Sequence, residues 1–233
     1  LLNNLGVVYS ELGEMNEAIN TLKKAIAIKP DYAEAYNNLG VAFNKNSQLE
    51  EAVHSFESAL KINPDFPDPY NNLTVVFRKQ GLFDHVTMSS KKAIDSMIKY
   101  IKTQPNDSDT YNNLGLAYFE IDSLDKAVES FEVAVSINPR FDEAYYNLGV
   151  ALERLHRFDD AIKAFVNAEN IKTDTEYSLG NILNAKMQSC SWDNFYNLLE
   201  KLEKKINDNK KIVDPFNLKA WIDDPALQRK ATE

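Results

Sequence analysis

Five asparagines fall at one fixed place in five similar phrases: LLNNLG, AYNNLG, PYNNLT, TYNNLG and AYYNLG. They are Asn4, Asn38, Asn72, Asn113 and Asn147, each directly before a leucine. A carboxamide carries an acceptor oxygen and two N–H donors, so it can pair with a peptide group through both C=O and N–H while ignoring its side chains. Inside a helix asparagine costs roughly 0.6 kcal/mol against alanine, because its side chain competes for backbone hydrogen bonds. Repeating it at one register position points to hydrogen bonding as its use. The partner is either an extended polypeptide lying along the row or the backbone of a neighbouring unit, and the sequence fits both. A polypeptide held this way would be bound weakly and broadly, each net bond giving about 0.5–1.5 kcal/mol. The column just before it, Asn3, Asn37, Asn71 and Asn112, is less regular, since Tyr146 ends it.

Other groups with chemical potential are scattered. His54, His85 and His156 occupy different units and different positions, which fits solvated helix residues better than a shared metal site. Cys190 is the only cysteine, lacks any CxxC spacing and excludes an internal disulfide. Asp223–Asp224 ahead of Pro225 reads as a helix cap rather than a catalytic carboxylate pair. The seven glycines all fall in repeat columns by this reading, so none remains for a phosphate-cradling loop. No catalytic machinery, metal site or cofactor site is expected within this chain.

The row must be positioned by a repeated element. Leu5, Leu39 and Leu73 stand 34 residues apart, as do Leu114 and Leu148. Around them align Leu2, Tyr36, Tyr70, Tyr111 and Tyr145; Gly6, Gly40, Gly115 and Gly149, with Thr74 the exception; and Tyr9, Phe43, Phe77, Tyr118 and Leu152. Further on come Ala18, Ala52, Ala127 and Ala161; Leu22, Phe56, Phe131 and Phe165; and Ala25, Ala59, Ala134 and Ala168. Pro30, Pro64 and Pro139 close their units. Offsets of three and four put the large residues on one helical face, and glycine or alanine lets two helices approach closely.

This pattern resembles the tetratricopeptide repeat: aromatic, Leu, Gly and Tyr on helix A, then Ala, Phe and Ala on helix B. The resemblance implies an all-α, right-handed solenoid of antiparallel helix pairs whose A helices line the concave face, placing the five asparagines along a groove. The carboxylate clamp of chaperone-associated members needs basic residues where Asn3, Asn37 and Asn71 stand here, and asparagine where Val7, Val41 and Val75 stand. That mode of binding is not expected.

Two breaks interrupt the period. Leu73 to Leu114 is 41 residues, and the excess falls in helix B of the third unit. Seven residues are close to two turns, so Ile94, Met97, Ile98 and Ile101 keep one apolar face and the helix should project roughly 10 Å further than its neighbours. Packing on its own array is the plain use of that extension; a lip for a partner or for self-association with a second copy is the other. The next Leu-Gly after Leu148 is Leu179–Gly180, 31 residues on, with Thr173 in place of the closing proline. The expected organisation is five repeats over 1–173, a degenerate sixth over 174–207 with an apolar stripe of Phe195, Leu198, Leu199, Leu202 and Ile206, and a linker over 208–233. The first repeat is read as truncated at its start, so a targeting segment ahead of Leu1 stays an open matter.

The stretch from Cys190 to Glu233, with CSWDNF, DPFNL and DDPALQRKA, is similar to the junction between repeats and catalytic region in bacterial relatives of the O-linked N-acetylglucosamine transferase and SPINDLY family. The resemblance implies an arm that recruits polypeptide substrate for a downstream glycosyltransferase domain using a UDP-sugar donor, and in that family an asparagine ladder holds the substrate. Phe216, Leu218 and Trp221 would dock on such a domain or fold back on the last repeat. A stand-alone scaffold that joins proteins is the other reading. The formal charge of −9 disfavours nucleic acid and anionic membrane as main partners, and no apolar run is long enough to suggest a span. A lone cysteine fits a reducing, cytoplasmic compartment.

Overall fold

The structure is a computed structural model that describes residues 1–171 and 178–207. Thr173 and the tail carrying Phe216, Leu218, Trp221 and Asp223–Asp224 lie outside the described residues, as does the side chain of Ile206. The chain divides into two compact units. The first, residues 1–106, holds α1 (Leu2–Glu11), α2 (Met15–Ile28), α3 (Ala33–Lys45), α4 (Leu49–Ile62), α5 (Pro67–Lys79) and α6 (Phe83–Ile101). The second starts at Asp107 and holds α7 (Ser108–Glu120), α8 (Leu124–Ile137), α9 (Asp142–Arg154), α10 (Phe158–Ile171), α11 (Ser178–Gln188) and α12 (Phe195–Asn207). No strand occurs among the described residues.

Local signals start some of these helices. Pro67 opens α5, where its missing N–H is not needed. Glu50 and Glu51 in the first turn of α4, with Lys61 in its last, suit the helix dipole. From α1 to α9 only α7 has a side-chain cap, with Asp107 accepting from the Asp109 N–H. Tertiary packing therefore supplies most of the helical stability.

The packing is one motif repeated. A β-carbon built on Gly40, Gly115 or Gly149 would stand 2.5 Å from the ring of Phe56, Phe131 or Phe165, and one on Gly6 equally close to Leu22. Those three rings are among the most deeply buried side chains in the protein. Helix A must lack a side chain for helix B to seat its ring, which buries roughly 1.5–3 kcal/mol of apolar surface per repeat. The third repeat solves the contact differently. Its glycine column holds Thr74 and its ring column Ser90, both buried, with their hydroxyls 3.4 Å apart. A small pair replaces a glycine–ring pair, and Thr74 also donates to the Tyr70 carbonyl.

The turn from helix A to helix B is equally regular. Gly13, Ser47, Gly81, Asp122, His156 and Cys190 all have positive φ, and glycine supplies this left-handed conformation at two of the six. The next residue's N–H then bonds the carbonyl of Tyr9, Phe43, Phe77, Tyr118, Leu152 or Lys186 at 2.8–2.9 Å.

This turn corrects the register of the sixth unit. Cys190 follows His156 by the usual 34 residues, so Ile182, not Leu179, occupies the leucine column. The Leu179–Gly180 pair lies three residues ahead of that column. The glycine column holds Leu183, fully buried. Of the expected α12 stripe, Phe195 and Leu202 are buried and Leu198 and Leu199 half-buried.

Helix α6 also departs from expectation. It has 19 residues against 14 in α2, α4, α8 and α10, so the gain is five residues rather than seven, or about 7–8 Å. Ile94 and Met97 are buried, but Ile98 is exposed; Ser96 turns inward instead and donates to the Asp65 carbonyl at 2.6 Å. Lys99 adds an ion pair to Asp65 at 2.6 Å, so the extension grips the loop between the second and third repeats.

The Thr74–Ser90 exchange yields a test. Ser90→Phe alone should overpack against Thr74 and cost about 1–3 kcal/mol, and the Thr74→Gly/Ser90→Phe pair should recover most of that loss. Urea unfolding of the four proteins of the cycle measures it; strictly additive losses would contradict the packing account.

Candidate peptide-binding face

Successive A helices pack side by side: α1 on α3 and α3 on α5 in the first unit, α7 on α9 in the second. Their shared seam is where the asparagines fall. The Asn38 amide donates to Asn3 Oδ1 at 2.9 Å, Asn72 to Asn37 Oδ1 at 2.9 Å, and Asn147 to Asn112 Oδ1 at 3.0 Å. Each bond joins residues 35 apart, one repeat plus one position.

Asn4 is exposed, but Asn38, Asn72 and Asn147 are half-buried at the seam, and Asn113 is half-buried on α7. The inter-repeat partner is a side chain, not the backbone. The preceding column supplies the acceptors, and Asn3, Asn37 and Asn112 are buried. Where that column breaks at Tyr146, Asn181 donates to the phenol oxygen at 3.2 Å, again 35 residues away. Asn181 is thus a sixth member of the row, hidden from sequence reading by the Leu179–Gly180 decoy. Asn71 uses its amide differently, donating to Met97 Sδ at 3.9 Å in the extension of α6. Asn113 has no side-chain partner among the described residues.

One N–H of each bonded row asparagine is therefore spent on the array. A carboxamide has another N–H and its oxygen left, and Asn38, Asn72 and Asn147 are half-exposed. Next to the amides runs an apolar row: Val7, Val41 and Val75 in the first unit, Leu116 and Val150 in the second. Beyond it lies a second set of links with the same 35-residue offset. Lys45 reaches the Ser10 carbonyl at 3.4 Å, Lys79 reaches Asn44 Oδ1 at 2.7 Å, and the Arg154 guanidinium lies 5.0 Å from the Phe119 ring centre.

The histidines do not join this face. His54 lies 3.9 Å from Glu57, His85 packs on Phe77 and His156 on Phe158, in separate repeats. Cys190 is exposed in a turn. Among the described residues no group of three potential metal ligands converges, and no helix is long and apolar enough to cross a membrane.

Glu153 on α9 is a half-buried carboxyl that accepts a hydrogen bond from Asn184. Burial pushes its carboxyl up from the ordinary range, and the hydrogen bond donated by Asn184 only partly offsets that. A raised folded-state value means that its stabilising contribution is complete below the unfolded-state value and is lost as pH rises through the folded one. Against Glu153→Gln, the native protein should lose relative thermal stability on going from mildly acidic to neutral pH. Equal midpoint differences at both pH values would contradict this.

Three models of one repeat family match the chain. A TPR repeat model covers residues 6–47 and 119–155, and two tetratricopeptide-repeat models cover 33–66 and 142–175. Together they span just over half of the sequence. No curated protein matches at sequence level. Among solved structures, PilF of Pseudomonas aeruginosa is similar with a TM-score of 0.68 at 19% identity, over 87% of this chain and 89% of that one. PilW, a type IV pilus biogenesis factor, gives 0.73 at 16% identity over 88% and 92%. YrrB, described as a repeat protein with an unusual peptide-binding site, gives 0.53 at 22% identity over 80% and 90%. At these identities the likenesses speak for the fold. With the glycine–ring contacts, the shared turn and the family matches in agreement, the chain belongs to the tetratricopeptide-repeat family and is an all-α, protein-interaction solenoid.

Proposed function

We propose that the A-helix faces hold extended polypeptide, through Asn4, Asn38 and Asn72 in the first unit and through Asn113 and Asn147, with Asn181 continuing that row, in the second. The observation that carries this reading is the division of labour within the amides of Asn38, Asn72 and Asn147. One N–H fixes the preceding repeat, which also fixes the rotamer, so the remaining N–H and oxygen are held in place before any ligand arrives. A helices packed about 8–10 Å apart present one amide for roughly every three residues of an extended chain. Recognition through peptide groups is tolerant of sequence, which suits a recruiting surface.

We further propose that this surface serves as the substrate-recruiting arm of a protein O-glycosyltransferase, with N-acetylglucosamine transfer the favoured chemistry. The support is the likeness of Cys190–Glu233 to the repeat–catalytic junction of that family. None of the structural neighbours named above is described as a glycosyltransferase. A nucleotide-sugar transfer assay on the natural protein separates this reading from a scaffold that only joins proteins.

The binding claim has its own test, which separates holding a ligand from holding the array. Asn38→Ala/Asn72→Ala/Asn147→Ala removes the groove-side amides as well as the seam bonds. Asn3→Ala/Asn37→Ala/Asn112→Ala removes the same seam bonds but keeps the row. Both should lower the thermal midpoint; the second should weaken capture of an unfolded polypeptide only slightly, through lost rotamer control, whereas the first should weaken it by about tenfold or more if each lost contact costs 0.5–1.5 kcal/mol. Equal losses of binding in the two triples would contradict a ligand-facing role.

A further inference from the structure

We propose that the face built by α1, α3 and α5 selects acidic polypeptide, gripping carboxylates spaced three residues apart with Lys45 and Lys79. This rests on the peptide-binding reading above and adds the chemistry of the ligand. The two lysines stand 34 residues apart, at the same height on adjacent A helices. Their ammonium groups contact only neutral oxygens, the Ser10 carbonyl at 3.4 Å and Asn44 Oδ1 at 2.7 Å. Among the described residues neither has a carboxylate at ion-pair distance. Two exposed cations held in register by neutral acceptors leave their charge unanswered. Glu11 is the carboxylate in the corresponding place of α1.

The geometry relates these charges to the amides. Lys45 follows Asn38, and Lys79 follows Asn72, by seven residues, two turns along the same helical face and about 10 Å along its axis. Val41 and Val75 lie between, an apolar strip suited to the methylenes of a glutamate. On the other side of the amides stands the exposed Glu34, which disfavours acidic side chains on that edge. The selected segment therefore carries its carboxylates on one edge only. Polyproline II backbone meets this requirement: three residues advance about 9 Å, close to the helix spacing, and bring the side chain back to the same side. Its peptide groups are free of internal hydrogen bonds and so remain available to the asparagines.

The experiment uses the whole chain and fluorescence anisotropy with labelled peptides: glutamate at every third position, the glutamine counterpart, and glutamate at every second position. At low salt the every-third glutamate peptide should bind about tenfold more tightly than the glutamine one, an advantage that shrinks as salt rises. Lys45→Gln/Lys79→Gln should erase that advantage while leaving the glutamine peptide unchanged, and Lys45→Arg/Lys79→Arg should keep it. Asn38→Ala/Asn72→Ala should weaken both peptides alike. Equal binding of glutamate and glutamine peptides, no preference for the three-residue spacing, or a preference that survives Lys45→Gln/Lys79→Gln would overturn the inference and leave the peptide-binding reading standing. Failure of every peptide to bind would overturn both.

Discussion

The bare glycine surface against which each helix B seats its ring is the contact on which the other features depend. A Cβ at Gly40, Gly115 or Gly149 has no room, so helix A and helix B approach to a distance that side chains elsewhere cannot dictate. The turn bond, present at nearly constant length in six successive units, locks the way each pair is joined. With the pair fixed and a period of 34 residues inside each unit, a side chain one repeat and one position later meets the same neighbour there; the 41-residue step before Leu114 interrupts the series. The asparagine pairs, the lysine contacts and the Arg154–Phe119 contact are all consequences of that single offset.

The asparagines show how a structural bond and a binding group can share one side chain. A buried seam polar group must be satisfied, and the acceptor column does this with Asn3, Asn37, Asn112 and, by substitution, the hydroxyl of Tyr146. Alanine would make the helices more stable in isolation, but it would leave the seam apolar and the face without peptide-directed groups. Bonding to the neighbouring unit and contact with a polypeptide are thus compatible uses of the two N–H groups of one amide. Where the seam partner differs, as at Asn71 with Met97, the lengthened α6 has taken over the amide.

Much of this was legible because packing at close range restricts residue type. Gly, Ala and Phe columns recur since only those sizes fit, so helix pairs and their faces follow from spacing alone. What was not legible depended on pairs rather than single residues. Thr74 looks like a defect until Ser90 is seen opposite it. Leu179–Gly180 copies the motif three residues early, and only the turn at Cys190 and the Asn181–Tyr146 bond reveal the true register. The acceptor role of Asn37 could have been found from sequence by asking what stands 35 residues before each row asparagine. The length of α6 was overestimated because the inserted residues were all assigned to helix, whereas α6 ends at Ile101.

The most direct test of the divided amide is nuclear magnetic resonance of the asparagine side-chain N–H groups while an unfolded polypeptide is titrated in. For Asn38, Asn72 and Asn147 one proton of each pair should be hydrogen-bonded in the free protein and hold its position throughout. The other should shift saturably as the polypeptide binds. A titration in which the polypeptide binds but neither proton moves, or in which the bonded proton is the one released, would contradict the account.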